Sequence, residues 1–116
     1  MSPIALTTVA VGDIVLVRYP YSDGLGAKQR PALVVSALDA YGDAVLMGIT
    51  TQQHAHGLVP LRKNDIASGA LPRPSWVKTS TVNAIHHSRF IRVIASVHPA
   101  ALIAIRNQMC PRLGCA

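Results

Sequence analysis

The chain has 116 residues, half of them apolar but only 4% aromatic, and a single domain of this size hides about two thirds of its unfolded surface in one core, here built mainly from Val, Ile, Leu and Ala. That excludes a disordered or solvating polymer, and apolar stretches such as Ala32 to Val35 and Val93 to Ala95 are far too short to span a membrane as a helix. Eleven Lys and Arg against five Asp, with no Glu, leave a net charge of +6, which points to a polyanionic partner.

Asp13-Ile-Val-Leu-Val-Arg-Tyr follows a Val-Gly turn signal and is rich in β-branched residues, which predicts a first strand. The next stretch, Pro20-Tyr-Ser-Asp-Gly-Leu-Gly-Ala-Lys-Gln, has loop chemistry, since Gly, Asp and Pro supply positive φ or fixed turn angles. Arg30-Pro-Ala-Leu-Val-Val-Ser-Ala-Leu is nearly all apolar after its first residue and predicts a central strand, with Pro tolerated at its start. A turn at Tyr41-Gly-Asp leads into Ala44 to Gln52, its expected antiparallel partner. Leu58-Val-Pro-Leu is a short strand that Pro60 assigns to an edge.

Asn64 to Leu71 is expected to hold one short helical turn that Pro72 ends. Ser75 to Val82 and Arg89 to Val97 are strands by composition. Pro99 opens a helix to Met109, because the first turn has no use for the missing N–H, and Leu102, Ile105 and Met109 give it an apolar face. The sum is mainly β: a small, strongly bent antiparallel sheet or barrel with a C-terminal helix covering an opening or edge.

Cys110 and Cys115 match neither a zinc pair nor a redox CxxC spacing, and His54 and His56 have no cysteine nearby, so no metal or cofactor is expected. No apolar run follows basic residues at the N-terminus, so a cytoplasmic chain without a signal peptide is expected.

Three stretches together resemble the PemK/MazF family of toxin endoribonucleases. They are Gly12-Asp-Ile-Val-Leu-Val with Lys28-Gln-Arg-Pro-Ala-Leu-Val-Val-Ser36, then Gly48-Ile-Thr-Thr-Gln52, then Pro74-Ser-Trp-Val-Lys78 running on to Ser88-Arg-Phe. The resemblance implies one SH3-like antiparallel β-barrel domain over residues 1–116, MazF/CcdB-like, with the C-terminal helix. It also implies a homodimer that acts as a sequence-specific, metal-independent cutter of single-stranded RNA, opposed by a cognate acidic antitoxin.

Carried over by position, Arg30 stands for the family's catalytic arginine and Thr50 for the hydroxyl residue facing it. The chemistry suits both. Attack of a ribose 2′-OH on the adjacent phosphorus builds negative charge on phosphoryl oxygens, which a rigid guanidinium fork and a hydroxyl stabilise, leaving a 2′,3′-cyclic phosphate and a 5′-OH end. DNA lacks the nucleophile. Some relatives carry an acid near the position of Thr79 or Ser80. Here the titratable alternatives are Asp23, which also reads as a turn former beside Gly24, and His86-His87, which also reads as a hairpin turn.

RNA contacts are expected from the loop Tyr21 to Gln29, including Asp23, Lys28 and Gln29, from Thr51 and Gln52 in the stretch to His56, and from Lys78. Tyr19 and Tyr21 are base-stacking candidates, though alternation also allows one of them to fill core, and Trp76 reads as a packing or dimer residue ahead of a base platform. Two other functions compete with ribonuclease action. One is a CcdB-like gyrase poison, which the C-terminus Pro111-Arg-Leu-Gly-Cys-Ala does not resemble; the other is a non-catalytic RNA-binding barrel, favoured by the missing acid.

Overall fold

Alternation fails in the first strand, where Ile14, Val15, Leu16 and Val17 are all apolar, and such a run belongs to a strand covered on both faces. The computed structural model, which describes residues 9–20, 27–52 and 58–109, has that arrangement. Seven strands, β1 (Asp13–Pro20), β2 (Ala27–Val34), β3 (Asp43–Thr50), β4 (Leu58–Leu61), β5 (Ile66–Gly69), β6 (Ser75–His86) and β7 (Phe90–Val97), precede one helix, α1 (Pro99–Met109). They form a single curled sheet in the order β4-β6-β3-β2-β1-β7-β5, antiparallel throughout. The chain is therefore mainly β, a curled antiparallel half-barrel with one C-terminal helix.

One buried cluster lies on the face of Ile14, Leu33, Met47, Ile49 and Val77, and α1 closes it with Ile105. The opposite face of the same central strands carries Val15, Val17, Ala32, Val34, Leu46 and Phe90. Strand register links the members of each set: Ile14 faces Leu33 and Leu33 faces Met47, while Val15 faces Ala32 and Val34 faces Leu46. Arg106 ties the helix to the sheet, its Nη2 donating to the Val35 carbonyl at 2.6 Å.

The edge strands β4 and β5 are consecutive in the chain, so the two edges of the curl meet at one corner through a 3₁₀ turn at Lys63–Asp65. Asp65 secures that corner. Its Oδ2 accepts the Arg62 N–H at 2.8 Å, and its carbonyl accepts the His98 N–H at 2.8 Å, just before α1.

Three boundaries differ from expectation. The helical turn expected over Asn64 to Leu71 is only the 3₁₀ turn, and Ile66 onward is extended because it pairs with β7, tertiary pairing outweighing weak local preference. Gly69, at φ +72, permits this pairing, since a Cβ there would collide with the Ile94 carbonyl. Strand β2 begins at Ala27, so Lys28 and Gln29 belong to a ladder, opposite Tyr19 and Arg18, and not to a loop. Strand β6 runs on to His86, paired with β3 as far as Asp43.

Leu33 is fully buried at the centre of the first cluster. Leu33→Ala should therefore cost about 3 kcal/mol of stability. Urea unfolding should show a lower midpoint with an unchanged slope.

Candidate functional site

Strand pairing decides which polar side chains share a surface, because residues directly opposite one another point to the same face. Arg30 is opposite Val17 of β1. The β2–β3 ladder ends with Ala32 opposite Gly48, and Arg30 and Thr50 lie two residues beyond that pair, on the same face by alternation. Thr50 pairs in turn with Trp76, and Trp76 with Pro60 of the edge strand. Alternation adds Lys28 on β2 and Lys78 on β6 to the same face, each two residues from Arg30 and Trp76 respectively.

Arg30 is exposed and forms no ion pair among the described residues. Thr50 is half-buried, and its Oγ1 accepts the Gln52 N–H at 3.1 Å. A hydroxyl that accepts in this way still has its own hydrogen to donate. An unpaired guanidinium and a fixed hydroxyl on one face are donors suited to a phosphoryl group.

The other expected contact residues divide. Gln29, one residue out of step with Arg30 on β2, faces the opposite side, and Thr51, just past the end of β3, lines a cavity of about 530 Å³ with Leu16, Pro31, Arg73 and Arg92. Gln52 is exposed beside Thr50. Asp23 lies outside the described residues, as do Tyr21, His54, His56, Cys110 and Cys115.

His86 and His87 stand at the wrong end of the sheet for proton transfer at this pair. His86 pairs with Asp43 and Trp76 with Thr50, so seven residues of β3 separate the two places, about 23 Å along the strand. The imidazoles pack against each other with ring centroids 4.4 Å apart, and His86 Nδ1 lies 2.8 Å from Ser88 Oγ. Gly42, at φ +83, sits beneath them, and a Cβ there would stand 2.7 Å from His87 Cδ2. They build the 3₁₀ turn between β6 and β7, in line with the hairpin reading.

Sequence reading missed Arg62, Arg73 and Arg92, which line two concavities. The larger, about 660 Å³, lies between the β4–β5 corner and the strand entering β6, and its wall includes Pro60, Arg62, Lys63, Arg73 and Trp76. No acidic residue lines either one. The Asp side chains serve turns elsewhere: Asp13 accepts from Ala10 N–H at 2.8 Å, and Asp39 from the N–H groups of Tyr41 and Asp43 at 2.9 and 3.0 Å. Asp13, Asp39 and Asp65 are thereby committed to backbone N–H groups at turns, while Arg62, Arg73 and Arg92 are exposed. Among the described residues no group of three or more His, Cys, Asp or Glu stands where it could hold a metal ion.

A family model described as PemK-like, MazF-like toxin of type II toxin–antitoxin system matches residues 10–111. No curated protein sequence matches the chain. Among solved structures, an endoribonuclease from a mycobacterial species is 18% identical with a TM-score of 0.68, the match covering 92% of each chain. An endoribonuclease in complex with its cognate antitoxin, also mycobacterial, is 20% identical, covering 93% of this chain and 95% of that one at a TM-score of 0.67. MazF from Deinococcus radiodurans is 20% identical, covering 91% and 96% at a TM-score of 0.71. At such identities the likeness is one of fold.

The shared face of Lys28 and Lys78 predicts phosphate contacts. For binding of a single-stranded deoxyoligonucleotide, Lys28→Ala and Lys78→Ala should each reduce the slope of log affinity against log salt by about 0.7. Gln29→Ala, on the other face, should leave the slope unchanged.

Proposed function

The chain belongs to the PemK-like, MazF-like toxin family of type II toxin–antitoxin systems, and from that membership we propose that it is a sequence-specific, metal-independent endoribonuclease of single-stranded RNA. The observation that carries the reading is that Arg30 and Thr50 stand on one face just beyond the last β2–β3 pair, with the guanidinium exposed and unpaired among the described residues. The solved endoribonucleases of the same fold support it.

In the proposed reaction the ribose 2′-OH loses its proton and its oxygen bonds to the neighbouring phosphorus. The bond from phosphorus to the 5′ oxygen breaks, and that oxygen takes up a proton. The products are a 2′,3′-cyclic phosphate and a 5′-OH. Arg30 and Thr50 donate to the phosphoryl oxygens as their charge grows, and because strands hold both donors, little reorganisation is needed. Lys28 and Lys78 hold neighbouring phosphates, with Gln52 beside them. Asp13 and Asp43 begin the strands whose other ends carry this surface, so neither serves it as a base. Charge stabilisation is accordingly the main source of acceleration in this reading.

The proposed partners follow from charge and fold. A net charge of +6 suits an acidic antitoxin that orders on a basic surface, and solved relatives include complexes with a cognate antitoxin. A homodimer would cover apolar side chains left exposed, such as Ile103 and Val93. Sedimentation at micromolar concentration should give twice the chain mass, and a monomer would count against the dimer.

The deciding experiment incubates the purified chain with a long unstructured RNA in EDTA and maps the cut sites and end chemistry. Cuts at one short motif leaving 5′-OH ends are expected. Arg30→Ala should slow cleavage by about 10²- to 10³-fold, and Thr50→Ala by about 10-fold or more, as for loss of a hydrogen bond to a charged group. Cleavage by Arg30→Ala at the wild-type rate would overturn the assignment.

A further inference from the structure

The largest concavity among those described lies one strand beyond the proposed reacting pair. Trp76 is on β6 opposite Thr50, and β2, which carries Arg30 on the same face by alternation, is two strand spacings, about 10 Å, away across the sheet. Trp76 is half-buried and forms part of the wall of the 660 Å³ cavity. Its strand neighbour there is Pro60, and no ring contact with another aromatic is found for it among the described residues.

The charged residues on that wall are Arg62, Lys63 and Arg73, all cations and all exposed. Asp65, the carboxylate of the same corner, does not join them. It is committed to the Arg62 backbone N–H and lines a smaller hollow against α1 with Arg62, Ala101 and Ile105. A wall that combines Pro60, Leu71 and Trp76 with cations and no carboxylate is complementary to one kind of ligand group, a flat base carried on phosphates.

We propose that this cavity is a nucleotide subsite for the RNA of the proposed reaction, in which Trp76 stacks one base and Arg62, Lys63 and Arg73 hold the phosphates flanking it. The inference rests on the ribonuclease reading and extends it, because it assigns part of substrate selection to a place outside the reacting pair. Stacking tolerates any base, so the subsite contributes affinity and register along the strand, while base identity is read elsewhere. The row Arg30, Thr50, Trp76 then runs across three strands in the direction an extended RNA strand would follow.

Trp76 is the only tryptophan of the chain, so its emission reports this cavity alone. The probe is a mixed-sequence 2′-O-methyl oligoribonucleotide, which lacks the attacking hydroxyl, carrying a fluorophore whose anisotropy reports binding independently. Saturation should quench the Trp76 emission. Trp76→Ala should weaken binding by about 10-fold, Trp76→Phe should recover most of that loss, and Arg73→Ala should lower both affinity and its salt dependence. With cleavable RNA, Trp76→Ala should raise KM, whereas Arg30→Ala lowers kcat. Far-UV circular dichroism of each variant separates these effects from misfolding.

Anisotropy that saturates while the Trp76 emission stays constant, in a chain that cleaves RNA, would overturn the subsite and leave the ribonuclease reading standing. An emission change that follows protein concentration without oligonucleotide would assign the cavity to a second copy of the chain and also overturn it. Absence of both binding and cleavage would remove the subsite together with the function on which it rests.

Discussion

Antiparallel pairing of β1, β2 and β3 buries apolar side chains on both faces at once, Ile14, Leu33 and Met47 on one and Val15, Val34 and Leu46 on the other. Sizes are matched across the ladder, with Leu33 facing Met47 on one side and the small Ala32 facing Gly48 on the other. A one-residue slip would exchange the two sets and force both cores to repack. Register is therefore held tightly in the middle of the sheet, and everything at its ends inherits that precision. Arg30 lies two residues beyond Ala32 on the same face, where β2 has left the buried zone. Its exposure and the face it shares with Thr50 are consequences of how the hydrophobic strands pack.

Charge is organised by the same economy. With no Glu in the chain, the acids are short Asp side chains, and Asp13, Asp39 and Asp65 accept backbone N–H groups at turns. Such local bonds stabilise turns that a curled sheet of short strands needs in number. None of these three carboxylates lines the cavities where Arg73 and Arg92 stand. A basic surface arises here from where the negative charge is spent as much as from the surplus of positive charge.

Much of this was legible in the residues. The continuous run Ala32-Leu-Val-Val predicted a central strand, Pro60 predicted an edge, and Pro99 with Ile105 predicted the helix, because each depends on chemistry confined to a few neighbouring residues. The errors fall where distant strands decide. Ile66 to Gly69 looked like part of a helical turn until β7 offered it a ladder, and Lys28 and Gln29 looked like loop until β1 paired with them. The same applies to the site. Arg30 and Thr50 were named on a family resemblance, but Gln29 was grouped with them by proximity in sequence, and strand alternation turns it to the other side. Trp76 read as a packing or dimer residue before a base platform, and Arg73 drew no functional expectation, since a concavity is a property of elements far apart in the chain.

By itself the sequence determined the class of the fold, the approximate strands and helix, the cationic character and the family, because periodicity, turn chemistry and motif order are local and survive any arrangement of the parts. Tertiary structure alone decided which polar residues share a face, how far His86 and His87 stand from Thr50, and which cations surround Trp76. Those are relations across strands, set by register and curl, and register depends on the simultaneous fit of two buried cores that no short window of residues contains.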